Sequence, residues 1–149
     1  MLRRVRDRIA DERAFTLVEL LVVILIIGIL SAIVLPQFFV HRDKAEDADA
    51  KTAVRSLSIE VESCYAVEQD LTHCDTAAEL PDTGLNIGAV PGQVYVSASA
   101  LGSYTVTAVS KGNIGGNHLF NLHRETMGSP GERTCTPPGK GGCPVAGTW

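Results

Sequence analysis

Residues 15–35 read FTLVELLVVILIIGILSAIVL, twenty-one positions made almost wholly of Leu, Ile and Val. An α-helix rises about 1.5 Å per residue, so roughly 20 apolar residues cross the hydrocarbon core of a bilayer. No charged side chain occurs from Leu20 to Val40. A soluble core helix of this length carries a polar stripe, and this one has none. Leu30-Ser31-Ala32 makes a poor signal-peptide cleavage site, and a signal peptide has a shorter apolar region with no acid at its head. The stretch therefore reads as a membrane-spanning helix over 15–35.

Two features flank it. Residues 1–14 carry Arg3, Arg4, Arg6, Arg8 and Arg13 against Asp7, Asp11 and Glu12. Basic residues just before a first span keep that end in the cytoplasm, which places residues 36–149 outside. The second feature is Glu19, the single carboxylate of the run. A charge well inside a bilayer costs about 2.5–3.5 kcal/mol on the insertion scale, so such an acid is a functional candidate by default. The plainer reading is an interfacial acid that snorkels to the headgroups near Arg13.

The residues Ala14-Phe15-Thr16-Leu17-Val18-Glu19, with the apolar helix behind them, resemble the class III leader and N-terminal helix of type IV pilins and pseudopilins. That resemblance implies cleavage between Ala14 and Phe15 by a prepilin peptidase, then N-methylation of Phe15. The family usually has Gly before the cut, where this chain has the small residue Ala14. It also implies that Glu19 pairs with the terminal amine of a neighbouring subunit. Removing one partner of such a pair in low dielectric costs several kcal/mol, so the acid would set register between subunits. The implied partners are copies of the same chain in a helical filament, the peptidase, the cytoplasmic membrane and a pilus assembly platform. No cofactor is implied. The resemblance is specific over about residues 13–36. It leaves open a pilus subunit, a type II secretion pseudopilin, or a minor or competence pilin that binds DNA or a surface ligand.

The remaining 114 residues suffice for one small domain. Without the leader the chain has eight basic and 14 acidic side chains, a formal charge near −6. That balance disfavours non-specific binding to nucleic acid. Pro36 closes the apolar run, yet helical patterning resumes after it. Ala50, Val54, Leu57, Val61 and Cys64 step by four and three along one face. Asp43, Asp47, Lys51, Arg55 and Glu62 are assigned to the other faces, with Asp47 and Lys51 spaced for a weak ion pair. A helix from residue 15 to about 69 would be roughly 80 Å long, with Pro36 as a bend.

Residues 75–93 read as a loop punctuated by Pro81, Gly84, Gly88, Pro91 and Gly92. Alternating patterns then predict strands over 94–99, 103–110 and 118–124, with a turn at Leu101-Gly102. Tyr104, Val106 and Ala108 share one face of the second strand, and Phe120 and Leu122 point inward from the third. One long helix followed by a small antiparallel sheet makes an α+β, pilin-like fold. The tail 134–149 is rich in Pro and Gly and reads as irregular.

Four cysteines, all beyond the span, suggest disulfides in an exported domain. They allow three pairings, and Cys64–Cys74 with Cys135–Cys143 closes the shortest loops. A metal site from Cys64, His73 and Cys74 lacks a fourth ligand and the paired spacing of zinc sites. Gly139-Lys140-Gly141-Gly142 lacks the strand, helix and hydroxyl of a phosphate loop. His41, His73, His118 and His123 are scattered and read as surface histidines, and no catalytic constellation stands out.

Overall fold

A computed structural model describes residues 15–80, 83–100 and 102–149. The leader, Ala14 included, and Leu101 lie outside the described residues. The element order is one long helix, α1 (Leu17–Glu68), a 3-10 turn (Leu71–His73), then β1 (Gln93–Ala100), β2 (Ser103–Val109), β3 (Leu119–Arg124) and β4 (Glu132–Thr136). The chain divides into two compact units between Phe38 and Phe39.

The first unit is apolar helix. From 15 to 38 every side chain is exposed except Ser31, which is half-buried. Helical hydrogen bonding continues through Pro36. Proline has no N–H, so the ladder loses the bond back to the Ala32 carbonyl.

The second unit, Phe39–Trp149, contains a core between the rest of α1 and the sheet. Val54, Leu57, Val61 and Cys64 are buried along α1, as their spacing requires. The sheet is antiparallel throughout, in the order β1-β2-β3-β4. Val106 pairs with Val96 on one side and Leu122 on the other, and Ala108 with Val94 and Phe120. Val94, Tyr104, Val106, Ala108, Phe120 and Leu122 are all buried on one face. The opposite face carries hydroxyl and amide pairs, including Thr107 to Asn121 at 2.8 Å. This period-two division is the alternation read from the strands.

The fourth strand corrects the irregular tail. Glu132–Thr136 pairs with β3, Cys135 facing Phe120, and only then do Pro137 and Pro138 remove the donors a strand needs. The open edge of β3 supplies five residues of pairing that the Pro and Gly count concealed. Cys64 bonds to Cys74, and Cys135 to Cys143, with Cα–Cα distances of 5.9 and 5.7 Å. The first ties the end of α1 to the 3-10 turn. The second folds the tail so that the Gly147 carbonyl accepts the Cys135 N–H at 2.7 Å. Trp149 then lies edge-on to Phe120, 6.1 Å between centroids.

One polar network crosses this core. The Tyr104 hydroxyl lies 2.7 Å from both Ser58 Oγ and Glu62 Oε1. Glu62 in turn meets Arg124 Nε at 2.9 Å. Burial, with the Glu62 charge beside it, pushes the Tyr104 phenol up to about 12 from an ordinary 10.0. The folded protein thus holds this proton more tightly than the unfolded chain. The stabilisation is complete below pH ~10 and is lost as pH climbs through 10 to about 12. Tyr104→Phe should cost about 1–3 kcal/mol at neutral pH, since Ser58 and Glu62 lose a partner. It should also flatten the alkaline fall. Denaturation of the full chain in detergent, followed across that pH range, checks both.

Candidate functional site

The head of α1 begins with Thr16-Leu17-Val18-Glu19. The Thr16 N–H and hydroxyl both donate to Glu19 Oε2 at 2.9 Å, and the Glu19 N–H donates to Thr16 Oγ1 at 3.1 Å. This is a reciprocal capping box, with Thr16 at the N-cap and Glu19 at the third helical position. The spacing Thr-x-x-Glu was readable in the sequence as a helix start, a signal the membrane reading of Glu19 passed over. The box uses one carboxylate oxygen. Glu19 Oε1 has no hydrogen-bond partner among the described residues, so a second donor can reach it. Phe15, 81% exposed, stands at the same end.

Beyond the box, the helix surface is apolar all round. Leu21, Ile24, Leu25, Gly28, Ile29 and Ala32 line a shallow apolar cleft. Nothing lies within 4 Å of where a Gly28 Cβ would sit, and Gly28 and Ala32 are one turn apart. Small residues at that spacing let another helix approach closely.

The second cluster lies in the domain, and the sequence reading misassigned it. His118 is fully buried, as is Asp47, and Asp43 is only 6% exposed. Their positions on α1 face inward, so neither aspartate is on a solvent face; the Asp47 charge still acts on the Lys51 ammonium, as the spacing suggested. His118 Nδ1 lies 2.8 Å from Asp47 Oδ2, and Nε2 lies 3.2 Å from the Ile114 carbonyl. Both ring nitrogens face acceptors, so any N–H the ring carries has a partner. Asp43 accepts the N–H groups of Asn113 and Ile114 at 2.8 and 3.1 Å. Asp47 Oδ2 also accepts the Gly142 N–H at 2.6 Å, and Lys51 Nζ donates to the Gly142 carbonyl at 2.7 Å. A side chain at Gly141, whose φ is +53°, would collide with Asp47 and His118.

Ligand-type atoms of Asp43, Asp47 and His118 lie within 4.8 Å of one another, a spacing that can hold a divalent cation. Here each acid already receives protein N–H donors. The cluster works as a clasp that fastens the β2–β3 loop and the Cys135–Cys143 loop to α1.

The remaining sequence candidates do not converge. The two cystines are separate, Pro36 lies mid-helix, and His41 and His73 are exposed. His123 bonds Thr105 at 2.8 Å on the outer sheet face.

Comparison with known proteins places the helix head in context. Residues 9–35 match the prokaryotic N-terminal methylation motif. The chain is 37% identical over 80 residues to the type IV major pilin protein PilA of Myxococcus xanthus, covering 52% of this chain and 36% of that protein. It is 33% identical over 113 residues to the type IV wide pilus major component PilA4 of Thermus thermophilus, covering 74% and 80%. The narrow pilus major component PilA5 of the same organism is 36% identical over 81 residues, covering 52% and 66%. The match thus spans about a third of the Myxococcus protein's length but most of PilA4's. No solved structure matches the chain.

The clasp makes a direct prediction. His118→Ala takes a partner from the buried Asp47 carboxylate, which then keeps only the Gly142 N–H, and should destabilise the domain by about 1–3 kcal/mol. Arg42→Ala, which removes a 3.9 Å surface pair with Glu46, should cost under about 1 kcal/mol. Chemical denaturation of the detergent-solubilised full chain distinguishes them.

Proposed function

The chain belongs to the type IV pilin family, and we propose that it is a structural subunit of a type IV pilus. Residues 1–14 act as a cytoplasmic leader, cut between Ala14 and Phe15 by a prepilin peptidase, after which the Phe15 amine is methylated. Residues 15–35 hold the chain in the cytoplasmic membrane with the leader inside and residues 36–149 outside. An assembly platform then transfers the helix from lipid into a filament of identical chains at the cell surface.

The observation that carries this reading is the exposure of the whole apolar head of α1, with one carboxylate at its start. Apolar side chains gain about 1.5–3 kcal/mol each on full burial, and here they find none among the described residues. Lipid meets that demand before assembly, and neighbouring helices meet it afterwards. Glu19 fixes how the neighbours line up. Its Oε2 is engaged with Thr16, while Oε1 is left for a cation from outside, and the methylated amine of an adjacent Phe15 is of the right charge. Pro36, which costs the ladder one bond, is the point where α1 bends or opens as helices crowd together. The role is structural rather than catalytic. The relatives are named as major pilus components, which favours a pilus over a secretion pseudopilus.

Intact-mass measurement from the native host should find a chain beginning at methylated Phe15. A chain starting at Ile33, or uncut Met1, contradicts the reading. In the same host, Glu19→Ala should be processed and folded normally yet lose filaments at least about tenfold, since the orphaned amine costs several kcal/mol per subunit. Normal filament numbers would make Glu19 a tolerated interfacial acid.

A further inference from the structure

The two flanks of the domain half of α1 carry opposite charge. Helical geometry puts Lys44, Lys51 and Arg55 on the flank toward β4. Glu46, Asp49 and Glu60 fall on the flank toward β1, where Arg42 pairs with Glu46 at 3.9 Å and the flank stays net acidic. At the basic flank, Arg55 and Arg133 both lie against Trp149, their guanidinium carbons 5.2 and 5.4 Å from the indole. The indole is held in place, because its N–H donates to the backbone carbonyls of Thr134 at 2.9 Å and Asn121 at 3.2 Å. Both arginines are exposed, and neither meets a carboxylate among the described residues. Arg124, by contrast, is paired with Glu62. Two unmatched guanidinium groups stacked on a fixed aromatic ring make a rigid cationic surface, of the composition that anchors interfaces.

The acidic flank borders a groove of about 190 Å³ between α1 and the β1–β2 edge. Glu46 and Asp49 line it from the helix, together with Leu85, Val109 and Lys111.

We infer that the Arg55–Trp149–Arg133 stack of one copy docks on the Glu46 and Asp49 edge of the next. The inference rests on the filament reading and adds the contact that orients the domains. Subunits related by a screw axis touch through two different surfaces, so a polymer of one chain needs a complementary pair on each copy. The opposed flanks are such a pair. They also offset the repulsion between copies whose mature charge is near −6.

The test is charge reversal in the full chain, expressed as the sole subunit, with filament number, processing by mass and thermal melting all read. Arg55→Glu with Arg133→Glu should leave processing and melting near wild type and reduce filaments about tenfold or more, because like charges then face each other. Glu46→Lys with Asp49→Lys should do the same. The chain carrying all four changes should regain filaments. Normal filaments from either reversed pair, or no recovery in the combined chain, overturns the docking. So does a reversed chain that forms normal filaments but loses retention of double-stranded DNA, since the stack would then be a polyanion site. Glu19→Ala run alongside separates the two levels: filaments lost there but kept in the reversed pairs would remove this contact and leave the filament reading standing.

Discussion

Everything in this chain depends on a helix whose first half, among the described residues, leaves every apolar side chain exposed and whose second half buries one stripe. The domain half follows ordinary rules, with Val54, Leu57 and Val61 closed under Val106 and Phe120. The head half has no polar face to offer water, so it is stable only in lipid or among other apolar helices. The proposed passage from membrane to filament meets that requirement. The same requirement gives a lone acid in the run an influence far beyond its size, because a carboxylate in such surroundings strongly prefers whatever cation it can reach.

The domain meets its own version of the same problem. Its aromatic content is low, 5% of the chain, so the core is modest. Polar and covalent ties supplement it: the Asp43–His118–Asp47 clasp, the Ser58–Tyr104–Glu62 network and two disulfides. The clasp and the disulfides tie irregular segments to α1 and β4, and the Tyr104 network ties β2 to α1. The clasp and the Cys135–Cys143 bond act on the same loop from opposite sides, since Gly142 donates its N–H to Asp47 and Cys143 closes the ring. That arrangement delivers Trp149 to β3 and β4, and so builds the surface on which Arg55 and Arg133 stack.

What the sequence disclosed follows from period and composition. The apolar run, the stepping of Ala50 to Cys64 and the alternation in β2 identify the α+β fold, because burial demands those patterns. What it hid was polar and non-local. His118, Asp43 and Asp47 look like surface residues until the fold brings together positions about seventy residues apart. β4 was masked by the prolines behind it, and only the open edge of β3 explains why five residues pair. The Thr16–Glu19 box was written in the local sequence, but the cost of a charge in lipid drew the reading away from helix capping.

The central claim is that Glu19 sets the register between copies. A filament reconstruction from the native host, at a resolution that places side chains, tests it most directly. The account expects the Glu19 carboxylate within about 4 Å of the Phe15 amine of an adjacent subunit, while the same carboxylate keeps Thr16. A map in which Glu19 contacts only its own Thr16, with every Phe15 amine directed elsewhere, would contradict it.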